Sequence, residues 1–290
     1  MKLSSTLSKV CAFAFTLAAL TACEKDTSLT PNQNEASSMG SARTGYDGSG
    51  DTFLALAGGV QLDKLSTSNG GTVLKSVTLT GLVAGERILG IDFRPANGML
   101  YGVGSTNQIY VINQETGVST KVGNSFTAVL NSTNVGFDFN PVVDRIRIVT
   151  DNGQNLRINP NTGAVAAVDG SINGAPGAKI AAVAYSNSVA GATSTNLYDV
   201  DPATDKLYRQ DPPNAGTLVL IGSLRLDISG EGGFDISPNG RSGLGIFQVG
   251  GKTTLFSVDL YSGYSRTIVQ YAKNYTAIAI IPGGSDTRSW

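Results

Sequence analysis

The sequence predicts an all-β fold, a five-bladed β-propeller of four-stranded blades. One short phrase occurs five times, in three clear copies and, third and fifth, two degenerate ones: Gly90–Pro95, Gly136–Pro141, Ala182–Ser186, Gly233–Pro238 and Ala277–Pro282. The copies begin 46, 46, 51 and 44 residues apart, and such a period with several short strands per repeat is typical of propellers. Helix signals are nearly absent, while Gly, Asn, Asp and Pro separate β-rich runs about every ten residues.

Each phrase is expected to form the first strand of a blade, with three further strands behind it. In the first unit these strands are Leu100–Val103, Ile109–Ile112 and Val118–Val122. The second unit repeats them at Ile146–Val149, Leu156–Ile158 and Ala164–Val168. The third has Leu197–Val200, Leu207–Tyr208 and Thr217–Ile221, with an inserted hairpin at Asn187–Ser194. The fourth has Leu244–Gln248, Leu255–Val258 and a strand through Ile268.

The ring is expected to close by combining the two ends of the domain. No further strand follows the fifth phrase, Ala277–Pro282, and three unassigned strands precede the first phrase, at Phe53–Ala57, Val60–Leu65 and Thr72–Leu79. One C-terminal strand would therefore join three N-terminal strands in the last blade. Such a closure removes the free strand edges that promote aggregation.

The N-terminus has the features of an export signal. Lys2 and Lys9 precede an apolar run, Val10–Leu20, that is too short for a membrane-spanning helix. The run ends in Leu-Thr-Ala-Cys, residues 20–23, which resembles the bacterial lipobox, where the signal is cleaved before a cysteine that carries the lipid. The alternative is an ordinary secreted protein in which the cysteine occurs by chance.

These features divide the chain into four segments. Residues 1–22 are expected to be a lipoprotein signal peptide, and residues 23–50 the lipidated Cys23 with a flexible tether rich in Ser, Asn, Thr and Gly. Residues 51–284 would form the propeller, and residues 285–290 a C-terminal tail. The expected location is the cell envelope. Glu24 stands where some inner-membrane lipoproteins have a retaining aspartate, which favours the outer membrane.

Composition excludes several classes of function. The chain contains no histidine, which excludes Ser-His-Asp and Cys-His catalysis and histidine-ligated zinc. Both cysteines, Cys11 and Cys23, fall in the signal region, so the domain has no disulfide. With 21 basic and 22 acidic residues there is no positive field for nucleic acid. No cofactor is expected, and a metal would have to be a hard cation such as Ca²⁺ held by oxygen ligands.

Three aspartates take equivalent places in the clear copies of the phrase. Asp92, Asp138 and Asp235 would lie on innermost strands near one axis, where Ala184 and Ala279 replace them in the other copies. Three such carboxylates suit Ca²⁺ binding, or acid and base catalysis of glycoside hydrolysis. A residue that recurs with a repeat more often serves the scaffold, here by accepting backbone N–H bonds between neighbouring blades.

Arginines interrupt the repeat in the second unit. Arg147 and Arg157 stand where the first and third units have pairs of tyrosines on adjacent strands. Arg145 lies two residues before Arg147, so strand alternation places the two on one face. Clustered guanidinium groups favour a site for an anionic or carboxylate ligand. The alternative is an internal ion-pair network with Asp144 and Asp151.

Two stretches of the sequence resemble a known bacterial family. They are Asn140–Arg147 with Asn155–Asn159, and Leu197–Asp201 followed by Pro212–Leu218. The family is a propeller-like domain of unknown function found in secreted proteins and lipoproteins, and the resemblance spans nearly all of residues 51–284. It implies the fold and a location outside the cytoplasm, and it implies no activity and no catalytic residue.

The favoured function is a non-enzymatic surface or periplasmic lipoprotein, held at the membrane by its lipid, whose propeller binds a glycan or another envelope protein. The alternative is a polysaccharide hydrolase or lyase with Asp92, Asp138 or Asp235 as acid and base. That chemistry requires two carboxyl groups in an open funnel, roughly 5–9.5 Å apart. A purely structural spacer is disfavoured, because no packing pattern explains the arginines that interrupt the repeat.

Overall fold

The computed structural model describes residues 50–238 and 242–285. These residues form five antiparallel sheets of four strands each and one short 3-10 helix, Pro213–Ala215. The predicted signal peptide, Cys23 and the tether up to residue 49 lie outside the described residues. Within the described part of the chain, no helix is long and apolar enough to span a membrane.

The five sheets are the blades, and each is numbered by the repeat that forms its inner strand. Blade 5 comes first among the described residues, with β1 (Asp51–Ala57), β2 (Gln61–Ser66) and β3 (Lys75–Thr78). Blade 1 has β4 (Ile88–Phe93), β5 (Leu100–Gly104), β6 (Ile109–Ile112) and β7 (Ser119–Val122). Blade 2 has β8 (Val135–Asn140), β9 (Arg145–Thr150), β10 (Asn155–Ile158) and β11 (Val165–Val168). Blade 3 has β12 (Ala182–Tyr185), β13 (Leu197–Asp201), β14 (Lys206–Gln210) and β15 (Leu218–Ser223). Blade 4 has β16 (Ile228–Ile236), β17 (Ser242–Val249), β18 (Lys252–Asp259) and β19 (Ser265–Tyr271), and β20 (Ala277–Ser285) returns to blade 5.

The predicted five-bladed propeller and its closure are confirmed. Blade 5 has the strand order β20-β1-β2-β3, so the C-terminal strand pairs antiparallel with β1, with Phe53 opposite Ile280 and Leu56 opposite Ala277. In the other four blades the strands follow in chain order from the inner to the outer edge. The inner strands pack side by side around the ring, and β20 lies between β16 and β4.

The apolar core is divided among the five junctions between blades. Each junction has its own cluster of buried side chains, contributed by the facing surfaces of two neighbouring blades. Between blades 1 and 2, the ring of Phe139 packs edge-on against the rings of Tyr101 and Phe137, with centroid distances of 5.2 and 6.2 Å. A fully buried side chain of this size contributes about 1.5–3 kcal/mol, so the five clusters hold neighbouring blades together.

Glycine begins the clear copies of the phrase because neighbouring inner strands approach closely there. A Cβ added at Gly90 would lie 2.5 Å from the Cβ of Phe137 on the next inner strand. One added at Gly233 would lie 2.5 Å from the backbone nitrogen of Ile278. The two degenerate copies have alanine at this place, and they are also the copies that lack the aspartate. Close approach and the aspartate therefore occur together.

An ion pair between a buried aspartate and a partly exposed lysine holds the segment before β20 against blade 5. Asp63 on β2 is fully buried and accepts hydrogen bonds from Lys273 Nζ at 2.6 Å, Tyr275 OH at 2.7 Å and Ser76 Oγ at 2.5 Å. Burial alone would raise the pKa of Asp63, but these three donors together hold the pKa below its ordinary value. The closing segment is thus held by side chains as well as by strand pairing.

The insertion in the third repeat is an irregular loop, and the expected hairpin is wrong. Residues 187–194 form turns and bends, with Asn187 Nδ2 donating to Ser194 O at 3.0 Å across the base of the loop. Small residues dominate this segment, and its backbone turns sharply at Asn187, whose φ is +56°. Such residues have little to bury on a strand face, so the segment forms no strand pair.

Deleting residues 276–290 removes β20, and we expect the ring to open. The deletion unpairs the edge of β1 and exposes the apolar clusters on both sides of blade 5. The thermal midpoint should fall and the chain should associate, as measured by circular dichroism and size-exclusion chromatography. A chain that ends after Ser285 is the control and should behave like the full chain. An unchanged, monomeric deletion variant would contradict the role given to β20.

Candidate functional site

Three aspartates meet on the axis of the ring. Asp92 lies on β4, Asp138 on β8 and Asp235 on β16, and their exposed fractions are 4%, 2% and 5%. One carboxylate oxygen from each lies within 4.8 Å of the others, and this is the only such group of three acidic residues found in the described residues. The structure therefore brings the three predicted carboxylates together.

Each of these aspartates accepts a backbone N–H from the next inner strand of its junction. Asp92 Oδ2 accepts from Phe139 at 2.8 Å, and Asp138 Oδ1 accepts from Tyr185 at 3.0 Å. Asp235 Oδ2 accepts from Ile280 at 2.6 Å. In all three cases the donor directly follows the place in its own blade that corresponds to the aspartate. The three bonds therefore tie neighbouring blades together in the same way.

At two junctions the preceding inner strand has alanine in place of aspartate. There the backbone N–H of the next inner strand donates instead to the aspartate of its own strand. Ala184 precedes blade 4 and Ala279 precedes blade 1 in the ring, and neither can accept a hydrogen bond. In blade 4, Ile236 donates to Oδ1 of the adjacent Asp235, and in blade 1, Phe93 donates to Oδ1 of the adjacent Asp92, each at 2.6 Å. Three carboxylates thus satisfy the five equivalent N–H groups of the inner strands.

The axial carboxyl groups favour their protonated forms. Burial raises the pKa of Asp92 well above its usual range, and the nearby charge of Asp235 adds to the shift. Burial, with the charges of Asp92 and Asp235, does the same for Asp138. Burial also raises the pKa of Asp235 to about 7, although its two backbone hydrogen bonds oppose the shift. The group therefore carries fewer than three negative charges at neutral pH.

Asp92, Asp138 and Asp235 are the residues that would hold a metal ion. Ca²⁺ binds oxygen ligands at about 2.3–2.6 Å, so oxygens within 4.8 Å of one another can all contact one ion. Five of their six oxygens already accept backbone hydrogens. The present arrangement is therefore complete as a scaffold, and Ca²⁺ binding stays a prediction.

A cavity of 250 Å³ lies at one end of the axis, where the repeated phrases end. Asp92 and Asp235 line it together with Pro95, Ile280 and other phrase-end residues, and the inserted loop contributes residues 188–190. This loop is the feature that gives the cavity a wall on one side. The carboxyl groups therefore border a small, largely apolar space.

The other end of the axis is filled by an ion pair. Glu231 on β16 accepts from Arg87, which precedes β4, at 3.0 Å, and from Thr133 Oγ1 at 3.3 Å. The space left beside these residues is only 10 Å³. The sequence did not indicate this ion pair. Glu231 reaches Arg87 because β16 bulges between Ser229 and Gly233, and the repeated phrase gives no sign of that bulge.

Arg147 is a buried part of the junction between blades 2 and 3. Its side chain is 1% exposed, and its guanidinium donates to Asp169 Oδ2 at 2.6 Å. It also donates to Asn155 Oδ1 and Asn214 Oδ1, both at 2.7 Å. Asn214 belongs to the 3-10 helix Pro213–Ala215, so this helix covers the arginine. Arg147 Nε also donates to Tyr185 OH at 3.2 Å. Four of the five N–H donors of the guanidinium are therefore bonded within the protein.

Arg157 shares the counter-ion of Arg147. It lies opposite Arg147 in the strand register and donates to both oxygens of Asp169, at 2.7 and 2.8 Å. Burial alone would raise the pKa of Asp169, but the hydrogen bonds from both arginines hold it below its ordinary value. Arg145 does not join them, because its guanidinium turns back to the backbone oxygens of Val143 and Asp144. The structure therefore brings two of the three candidate arginines together.

The partners expected for an internal network lie elsewhere. Asp144 pairs with Arg94 of blade 1, and Asp151 accepts from Asn134 at 3.0 Å. The counter-ion of the arginines is Asp169, which follows β11 and has no counterpart in the repeat that the sequence would reveal. The expected tyrosine pairs of the first and third units, Tyr101 with Tyr110 and Tyr198 with Tyr208, were also wrong. Tyr101 lies opposite Val111, and Tyr198 lies opposite Arg209.

Asp199 is a second buried acid of this junction that the sequence did not single out. It is fully buried on β13, and neither oxygen has a hydrogen-bond partner among the described residues. Burial raises its pKa well above the usual range, while the charge of Arg147 opposes the shift. A protonated Asp199 is the form that this environment favours.

A larger groove, of 820 Å³, lies on blade 4. Its lining is dominated by amide and hydroxyl side chains, with one acidic and one basic residue, and contains Glu231, Gln248, Lys252, Thr253, Gln270, Tyr271 and Asn274. None of these residues was a candidate from the sequence. The one sequence feature that marks the groove is the Gly250-Gly251 turn, which joins β17 and β18 at the end of an unusually long hairpin.

The fold and the repeat agree with a comparison of the sequence with known families. The sequence profile of the family described as Domain of unknown function (DUF4394) matches residues 61–280. The chain belongs to this family. The resemblance to a propeller-like family of unknown function is therefore confirmed. No curated protein matches the DUF4394 chain.

Several solved structures are similar to this DUF4394 chain at low identity. A structural genomics protein of unknown function from Bacteroides thetaiotaomicron VPI-5482 is 18% identical, with a TM-score of 0.47, over 80% of this chain and 64% of that chain. The Dos1 propeller is 16% identical, with a TM-score of 0.40, over 75% and 61%. A chain of the Nidogen/Laminin complex is 13% identical, with a TM-score of 0.43, over 80% and 98%. The chain thus spans less than two thirds of the first two.

We expect Asp92→Asn and Asp235→Asn to destabilise the fold more than Asp138→Asn. Asp92 and Asp235 each accept N–H groups on both oxygens, whereas Asp138 accepts a full bond from Tyr185 and otherwise faces only the Phe139 N–H, which is already bonded to Asp92. An amide keeps one accepting oxygen and turns its NH₂ toward the second donor, which leaves a buried N–H unpaired at a cost of about 1–3 kcal/mol. Urea unfolding of the three variants measures the difference. Equal losses in all three would contradict the hydrogen-bond account.

Proposed function

We propose that this chain is a lipid-anchored protein of the cell envelope whose propeller binds a partner and catalyses no reaction. The observation that supports the absence of catalysis is that the candidate reactive groups are engaged in the scaffold. The axial carboxyl groups accept the N–H groups of the inner strands, and Arg147 and Arg157 share Asp169. The lipid anchor at Cys23 and the outer-membrane location are proposed from the sequence alone.

Polysaccharide hydrolysis is the alternative, and one observation favours it: Asp92 and Asp235 border the cavity at the end of the axis. The remaining geometry does not suit it. The carboxyl groups are buried, their nearest oxygens lie within 4.8 Å of one another, and burial with neighbouring charge favours the protonated form. A glycosidase needs one ionised carboxylate and space for water or a sugar between two acids.

Recognition requires a surface with polar groups that are free to bond a ligand, and the groove on blade 4 offers one. A closed ring with a separate apolar cluster at each junction is a rigid support for such a surface. Rigid supports reduce the ordering cost of binding. A glycan or an envelope protein is the proposed partner.

We expect no product when the full chain is incubated with xylan, mannan, starch or pectin. Reducing ends and unsaturated sugar ends are the products measured, since the first report hydrolysis and the second report lyase activity. Enzymes typically turn over about 1–10³ times per second, so a catalyst would be detected readily. Product formation that Asp92→Asn abolishes would overturn the proposal in favour of the hydrolase or lyase.

We expect Cys23→Ala to release the protein from the membrane fraction of the bacterial cells that express it. The substitution removes the predicted lipid-bearing thiol, whereas Cys11→Ala changes the other cysteine, which lies within the apolar run. Immunoblots of membrane and soluble fractions measure the distribution. The anchor is refuted if both variants fractionate like the unsubstituted protein.

A further inference from the structure

The groove on blade 4 is formed by strands that extend beyond those of the other blades. Among the described strands, β17 and β18, with eight residues each, are the longest second and third strands of any blade. Their pairing continues to Gln248 opposite Thr253 and Val249 opposite Lys252, next to the Gly250-Gly251 turn. The extended ends of β17 and β18 therefore form a wall of the groove.

A bulge in β16 fixes the inner end of this wall. The register shifts between Ser229 and Gly233, and Gly230 has a φ of +77°, which favours glycine. A Cβ at Gly232 would lie 2.3 Å from Cδ1 of Phe247, so this position also requires glycine. The bulge carries Glu231 into its ion pair with Arg87 across the axis. The wall is therefore attached to blade 1 as well as to its own blade.

A row of polar side chains crosses three strands at the groove. Gln248, Thr253 and Tyr271 lie directly opposite one another on β17, β18 and β19, so they share one face of the sheet. Gln248 Nε2 donates to Thr253 Oγ1 at 2.7 Å and to Asn274 Oδ1 at 2.6 Å. Thr253 Oγ1 donates to Asn274 Oδ1 at 3.1 Å. These bonds hold both amides in fixed orientations before any ligand arrives.

Three polar atoms of this row have no partner among the described residues. Gln248 Oε1 is a free acceptor, and Asn274 Nδ2 is a free donor. Tyr271 lines the groove and is 8% exposed, and its buried hydroxyl has no hydrogen-bond partner. The Tyr271 hydroxyl is covered by the protein, so the atoms that a ligand can reach directly are the free amide atoms of Gln248 and Asn274.

The chemistry of the lining indicates a neutral ligand that both donates and accepts hydrogen bonds. Lys252 and Glu231 give no net charge, and Glu231 is already paired with Arg87. No arginine, leucine, isoleucine, valine or phenylalanine is among the lining residues, so the groove suits neither an anion nor a lipid chain. Amides and hydroxyls match sugar hydroxyl groups, which donate and accept. A volume of 820 Å³ has room for several sugar rings.

We infer that this groove binds a neutral oligosaccharide through the amides of Gln248 and Asn274. The inference rests on the binding function proposed above and names its ligand class and its site.

The test is isothermal titration calorimetry of the full chain in detergent with the hexasaccharides of maltose, cellulose, xylan and mannan. Oligogalacturonate is the anionic counterpart. The double variant Gln248→Ala/Asn274→Ala removes both amides, and Tyr271→Phe removes only the unpaired hydroxyl. Gln114→Ala is the matched control, because it removes an amide from the turn between β6 and β7 on blade 1. Thermal midpoints confirm that each variant is folded.

At least one neutral hexasaccharide should bind the unsubstituted chain. Its affinity should fall about tenfold or more in the double variant. It should stay within about twofold in Tyr271→Phe, whose hydroxyl is covered by the protein, and in the Gln114→Ala control. Equal binding by the double variant would refute the site, although the binding function would stand. Binding of oligogalacturonate alone, or of no sugar, would refute the ligand class. Release of reducing ends in the same solutions would instead refute the proposed function.

Discussion

The structure depends on satisfying five backbone N–H groups where the inner strands meet. These groups belong to Phe93, Phe139, Tyr185, Ile236 and Ile280, and each needs an acceptor in a region with little access to water. A carboxyl group offers two oxygens that can accept, so three such groups suffice for five donors. The consequence is a compact acidic group at the axis, in which burial and mutual repulsion favour protonation.

This constraint also separates the scaffold from the surface that can bind a ligand. The axial acids and the Arg147–Asp169–Arg157 network have partners inside the ring, so their charge stabilises junctions between blades. The polar atoms without partners at the groove lie instead on blade 4, where the strands run past the common length and a bulge departs from the repeat. In this family member the regular part of each blade builds the ring, and the departures from regularity create the candidate binding surface.

The sequence predicted the fold well because its cause is local and repeated. Gly90 and Asp92 recur with their neighbours, since every blade makes the same junction, and the position of the fifth phrase at the C-terminus indicated the closure. The repeat also indicated that the aspartates accept backbone N–H groups between blades, whereas no repeating signal indicates the pairing of Arg147 with Asp169. The groove was missed for the same reason: Gln248, Tyr271 and Asn274 meet through strand register and the final link of the chain, and neither leaves a repeating pattern in the sequence.

The most direct test of the axial account is the free energy of unfolding between pH 5 and pH 8, measured with urea. The folded Asp235 has a pKa near 7, and Asp92 and Asp138 are raised as well, so the folded state holds more protons than the unfolded state in this range. Stability should therefore fall as pH rises, by roughly 2 kcal/mol. The chain has no histidine, and the lowered pKa values of Asp63 and Asp169 act only at more acidic pH. The raised pKa of Asp199 acts in the same direction as the axial acids, so the measurement is made in the Asp199→Asn variant as well. Stability that is constant or that rises across this range would contradict the account.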